Sequence, residues 1–139
     1  MLIDKGSYCY ELNIPFPFSL IINNEHENVL EIMPSYYWMY NMYALARNND
    51  KFKKRDKRKT KTQKIETEVL ACDTAGEIMH AMALLEYIFE AAWTAAGNQP
   101  ESAQYLLTHK RDELKKLPLT AENIEHSARP VKILHGVDA

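Results

Sequence analysis

The strongest pattern in the chain is a helical one. Between Ala75 and Ala96 the apolar residues Ile78, Met82, Leu85, Phe89, Ala92 and Ala96 recur at steps of three or four, with Ala81, Ile88 and Trp93 beside them. That period places them along one stripe of an α-helix. Thr74 and Glu77 have the capping-box spacing, and Asp73 suits the positive end of the helix dipole. Gly97, followed by Asn98 and Pro100, marks the end. The expectation is a helix over Ala75–Ala96, about 33 Å long at ~1.5 Å per residue. A second helix follows from Pro100, with Ala103, Leu106, Leu107 and Leu114 as its stripe and Leu117-Pro118 as its stop. The short connection makes the two antiparallel neighbours.

Upstream, YYWMYNMYALAR (Tyr36–Arg47) is apolar on nearly every face, which predicts a helix enclosed on most sides. Ser35 suits its start and Asn48-Asn49-Asp50 its end, with Asp50 capping a further helix through the residues beyond. One long kinked helix is the alternative. Nearer the N-terminus the period shortens to two. Tyr8, Tyr10 and Leu12 alternate with polar neighbours, and Pro15 and Pro17 impose extended backbone on Ile14 and Phe16. Ser19–Ile22 and Val29–Met33 flank a polar Asn23–Asn28 and predict a β-hairpin. Ile65–Ala71 reads as strand or loop, Thr120–His126 as a short helix, and Val131–Leu134 as a last strand or tail. The resulting fold class is mainly α: a bundle-like single domain, 1–139, with a long central helix, a β-rich part at 1–33 and a helical part at 34–128. Its expected core is Trp38, Met42, Leu45, Ile78, Met82, Leu85, Phe89, Trp93, Leu106 and Leu107.

Apolar residues make up 46% of 139, enough for a core without metals or disulfides. There is no apolar run long enough to span a membrane and no secretory leader pattern. Cys9 and Cys72 form no CxxC pair, which reads as two reduced thiols of a cytoplasmic chain. Net charge is −2, yet residues 51–64 (KFKKRDKRKTKTQK) hold nine basic side chains against one acidic. The remaining segments are both net acidic. Three readings fit that run: a solvated face neutralised by its flanks, a phosphate-binding site, or a dock for an acidic partner. On a helix, Lys53, Lys57, Lys61 and Lys64 would share one face.

Candidate phosphate-binding residues are therefore Arg47, Lys53, Lys54, Arg55, Lys57, Arg58 and Lys61. Tyr36, Tyr40 and Tyr43 precede Arg47 at steps of four and three, a pattern able to stack a base or sugar, though aromatic stripes are more often core. His26, His80, His109, His126 and His135 have no metal-ligand spacing. No nucleophile–base constellation and no phosphate-cradling glycine loop occurs. Neither a catalytic residue, a metal site nor a cofactor is expected.

The segment PSYYWMYNMYALARNNDKFKKRDKRKTKTQKIETEVLACDT, with NIPFPFSLIINN before it, resembles part of an uncharacterised family of large bacterial proteins. Those proteins also carry a left-handed β-helix of hexapeptide repeats, like sugar-nucleotide acyltransferases. The resemblance covers roughly residues 10 to 90. It implies that the chain is a fragment of a longer protein and an accessory or interaction part without catalytic residues. The hexapeptide spacing itself is absent here. The implied partners are the rest of the parent protein or a second protomer, with nucleic acid or a nucleotide phosphate as the alternative ligand.

Overall fold

Alternating burial decides the architecture. In Val29–Met33 (β3) the side chains of Val29, Leu30 and Ile32 are buried, and in Val131–Ile133 (β4) those of Val131 and Ile133 are buried while Lys132 is not. A computed structural model describes residues 1–125, 127 and 129–139. β3 pairs antiparallel with Leu20–Asn24 (β2) and parallel with β4, and Leu2–Ile3 (β1) adds to β2 in parallel. The result is a four-stranded mixed sheet in the order β1-β2-β3-β4. Register aligns Ile21, Ile32 and Ile133 across one face. Ile22, Glu31 and Lys132 are aligned across the other, as the two-residue side-chain period requires.

Among the described residues five helices accompany the sheet: Tyr36–Tyr40 (α1), Met42–Arg55 (α2), Cys72–Ala95 (α3), Ala103–His109 (α4) and Arg111–Leu114 (α5). α3 contributes Ala81, Leu85, Ile88, Phe89 and Trp93 to one buried cluster. Ile21, Leu30, Ile32, Val131 and Ile133 join it from the strands, and Phe16, Leu106 and Leu114 from the rest of the chain. α4 is tied to α3 by one hydrogen bond and capped locally by another. Glu90 of α3 accepts the backbone N–H of Ala103 at 2.9 Å, and the Ser102 hydroxyl accepts that of Tyr105. Both satisfy amides left open at the start of α4.

The mainly α assignment is overturned. The hairpin forms where the alternation placed it, but as the centre of the sheet rather than an appendage to a bundle. Its neighbours arrive from far away in sequence: Leu2 pairs with Leu20, and Leu30 with Val131. Local periodicity carries no record of such pairings. Accordingly the core also differs from expectation. Leu85, Phe89, Trp93 and Leu106 are buried, Trp38, Leu45, Ile78 and Leu107 only partly, and Met42 and Met82 are exposed. Phe16, Ile21, Leu30 and Ile32, none of them expected, are fully buried.

Smaller corrections have local causes. The long helix starts at Cys72, three residues early, so Thr74 lies inside its first turn and no side chain caps it. Its other end is as the glycine requires: Gly97 has φ +84° and its N–H reaches the Thr94 carbonyl. The second helix begins at Ala103, with Ser102 rather than Pro100 at its boundary, and breaks at Lys110, so Leu114 falls in α5. The aromatic run is broken at Asn41 (φ −146°, ψ 40°), and neither α1 nor α2 holds a buried residue. Asn48-Asn49-Asp50 do not end α2. Asp50 pairs with Lys54 four residues on, and Lys53, Lys54 and Arg55 sit at the negative end of the helix dipole, which carries the helix to Arg55. Thr120 joins no helix and bridges to Lys132 instead. The remainder of that expected helix includes His126, which, like Ala128, lies outside the described residues.

Candidate functional site

The basic run and the aromatic run share one feature of placement. No residue from Ser35 to His80 is buried. α1, α2 and the irregular stretch 56–71 form an arm on the sheet-and-α3 body, joined at its root by two contacts. The Tyr37 N–H donates to the Phe18 carbonyl at 3.1 Å, and the Phe18 and Trp38 rings meet edge to face with centroids 5.4 Å apart. Between arm and body runs a cleft of about 480 Å³. Phe18, Leu45, Phe52 and Val69 give it apolar walls, with Asn49, Glu68, Thr74 and Glu77 among them. The Asn49 side-chain amide donates to Glu68 at 3.4 Å, while its own oxygen is buried without a protein partner.

Inside the run, four of the nine cations are tied to carboxylates. Lys53 meets Glu68 at 2.7 Å, Lys54 meets Asp50 at 2.8 Å, and Asp56 holds Arg58 at 2.8 Å and Lys61 at 3.9 Å. Hydrogen bonds from Arg58, the largest influence, hold the Asp56 carboxyl far below the ordinary carboxylate range. The Lys53 ammonium does the same more mildly for Glu68. Lys51, Arg55, Lys57, Lys59 and Lys64 have no carboxylate within 4.0 Å among the described residues. Because the helix ends at Arg55, Lys57, Lys61 and Lys64 do not share a helical face with Lys53. Of the candidate phosphate ligands, then, Arg55, Lys57 and Arg47 have no acidic partner among the described residues, while Lys53, Lys54, Arg58 and Lys61 are engaged.

The tyrosines form two local pairs instead of one stripe, since the break at Asn41 separates the helices. Tyr36 lies against Tyr40 with ring centroids 5.7 Å apart, and the Arg47 guanidinium lies 5.8 Å from the Tyr43 ring centroid. Tyr40 and Tyr43 are exposed, so the aromatic run is not core.

A polar network that sequence reading missed joins the segment before β4 to β2. Glu125, whose side chain is 0% exposed, receives two hydrogen bonds from Arg129, one from Nε at 2.8 Å, and a third from the Ser127 hydroxyl. Arg129 also donates to the Asn23 side chain. The bonds from Arg129 lower the Glu125 carboxyl below its usual value. Glu125 and Arg129 stand at helical spacing in sequence, but Asn23 is 106 residues away from Arg129. Each of the three guanidinium nitrogens donates a hydrogen bond, which describes a structural clamp more than an open site.

Among the described residues no cluster of His, Cys, Asp or Glu is arranged to hold a metal ion, and no helix is long and apolar enough to cross a membrane. Both cysteines are free and exposed.

No family model and no solved structure matches the chain. An uncharacterized protein of Treponema pallidum (strain Nichols) is 50% identical over all 139 residues. The match spans 19% of that protein's length, so the chain is similar to one segment of a much longer polypeptide. Nothing in that match includes a hexapeptide-repeat domain.

Proposed function

We propose that this chain is a non-catalytic interaction segment of a longer polypeptide, and that its arm is the part that engages the remainder. The observation carrying this reading is the arm itself. None of its thirty-six residues, 36–71, is buried, yet it exposes Tyr40, Met42, Tyr43, Phe52, Ile65 and Leu70. Contiguous apolar surface marks a contact with a partner, and Tyr40, Met42 and Tyr43 lie within four consecutive residues. The match to a fifth of a longer protein supports a partner in the same polypeptide. In the finer form of the reading, that polypeptide includes the hexapeptide β-helix of the family the sequence resembles, and any sugar-nucleotide-transferase-like chemistry belongs there. Hydroxyl-radical labelling tests it, comparing the matching segment of the Treponema pallidum protein with the whole protein, each at a dilution where it sediments as a monomer. At the positions aligned with Tyr40, Met42 and Tyr43, strong labelling in the segment should fall in the whole. Equal labelling would refute the reading.

A second reading, binding of nucleic acid or a nucleotide phosphate, rests on the five cations of residues 51–64 without acidic partners. Filter binding of single-stranded DNA at low and moderate salt should show affinity falling steeply with salt, and lost when Arg55, Lys57 and Lys59 become Gln. Absence of salt-dependent retention removes it.

A further inference from the structure

α3 is apolar on two opposite sides, and only one of them is used. Its Ala81–Trp93 side lies in the core. On the other side Ala75, Met79, Ala83, Tyr87, Ala91 and Ala95 follow at four-residue steps, all exposed, Met79 at 72% and Tyr87 at 68%. Residues four apart form the ridge by which one helix packs into the grooves of another, and a helix apolar all round is normally enclosed. Glu86 and Glu90 flank this ridge, and α3 contains no Lys or Arg. The partner such a face fits is therefore a helix with exposed apolar side chains and an excess of positive charge.

The chain carries such a helix. α2 exposes Met42 and Tyr43, and Arg47 and Arg55 on it have no carboxylate partner among the described residues. Within one molecule the two surfaces cannot meet. α2 turns Leu45, Asn49 and Phe52 toward the cleft it shares with Thr74 and Glu77, which lie away from the ridge on the wheel of α3, so its outward side and the ridge both face solvent. We infer that the outer ridge of α3 is a docking face for the α2 arm of a second copy, an apolar contact oriented by acid on one side and base on the other. Association of this kind buries both exposed surfaces at once, and it rests on the interaction-segment reading.

Sedimentation equilibrium of the 139-residue chain tests the inference. Mass above the monomer should grow with concentration, with the dissociation constant rising about tenfold or more from low to moderate salt, as a charge-oriented contact requires. Tyr87→Glu should abolish association. So should Glu86→Lys with Ala83→Lys on the ridge, and Arg47→Glu with Arg55→Glu on the arm. Mixing these two charge-reversed chains should restore a complex, while each alone stays monomeric. Circular dichroism verifies that each variant is folded, and no substitution touches the core or an internal ion pair. A monomer at every concentration, association indifferent to Tyr87→Glu, or a mixture that does not associate would each overturn the inference. A monomeric result together with reduced labelling of the arm in the longer polypeptide would leave the interaction-segment reading standing.

Discussion

At the residue scale, the deciding quantity is which side chains are enclosed. Leu85 and Met82 both lie on the expected stripe of α3, yet Leu85 is buried near Gly136 and Met82 is 58% exposed. Leu85→Ala should therefore cost roughly 2–5 kcal/mol, and Met82→Ala about 0.5 kcal/mol or less, in urea titration. Equal losses would mean the helix presents a different face to the sheet. Gly136 is the tightest position: a Cβ there would stand 2.8 Å from Ile133 and 3.2 Å from Leu119. Gly136→Ala should cost about 1–3 kcal/mol, because those neighbours are core side chains with little room to yield. An unchanged unfolding midpoint would contradict the packing of the C-terminal turn against β4.

The clamp between Glu125 and Arg129 gives a pH prediction. Arg129 holds the folded-state pKa of Glu125 below its usual 4.5, so the unfolded chain binds more protons there than the folded one. The contribution is complete above that usual value and is lost as pH falls through the lower folded value. Glu125→Gln should flatten this acid-side decline. At neutral pH it should also cost roughly 3 kcal/mol, since it leaves a largely buried guanidinium without its counter-charge. A wild-type acid slope retained by the variant would count against the clamp.

At the scale of elements, the hairpin strands and the C-terminal end of α3 were legible locally, while other element limits and the assembly were not. The limits of α3 at Gly97, the hairpin strands and the last strand near Val131 are each written within a dozen residues, in period, glycine and polar loop. The sheet is written nowhere locally, because β1 and β4 join their partners across roughly 20 and 100 residues. The aromatic run shows a second limit of local reading. Apolarity on every face of Tyr36–Arg47 predicts enclosure, but Tyr40, Met42 and Tyr43 are left exposed and the run buries nothing. The cleft between arm and body was illegible for the same reason, since Leu45, Phe18 and Val69 meet only through the tertiary fold. Stability should follow this division: amides of α2 should exchange hydrogen far earlier than those of α3, whose inner side is buried. Comparable protection in both helices would mean that the arm is part of the cooperative core.

For the whole molecule, the charge asymmetry has changed meaning. Four cations of residues 51–64 are already held by Asp50, Asp56 and Glu68, all exposed or near-surface pairs of modest strength. What remains is an arm with exposed aromatics and with cations that have no acidic partner among the described residues, beside a helix with an exposed apolar ridge flanked by acid. Both are surfaces on which the proposed interaction would act, and the chain matches 19% of the length of its Treponema relative. The most direct test is hydrogen exchange at the positions aligned with Met42–Arg55, measured in the matching segment of that relative and in its full polypeptide. The account predicts exchange slowed by at least about tenfold in the full polypeptide, as covering by a partner requires. Equal exchange in the two would contradict it.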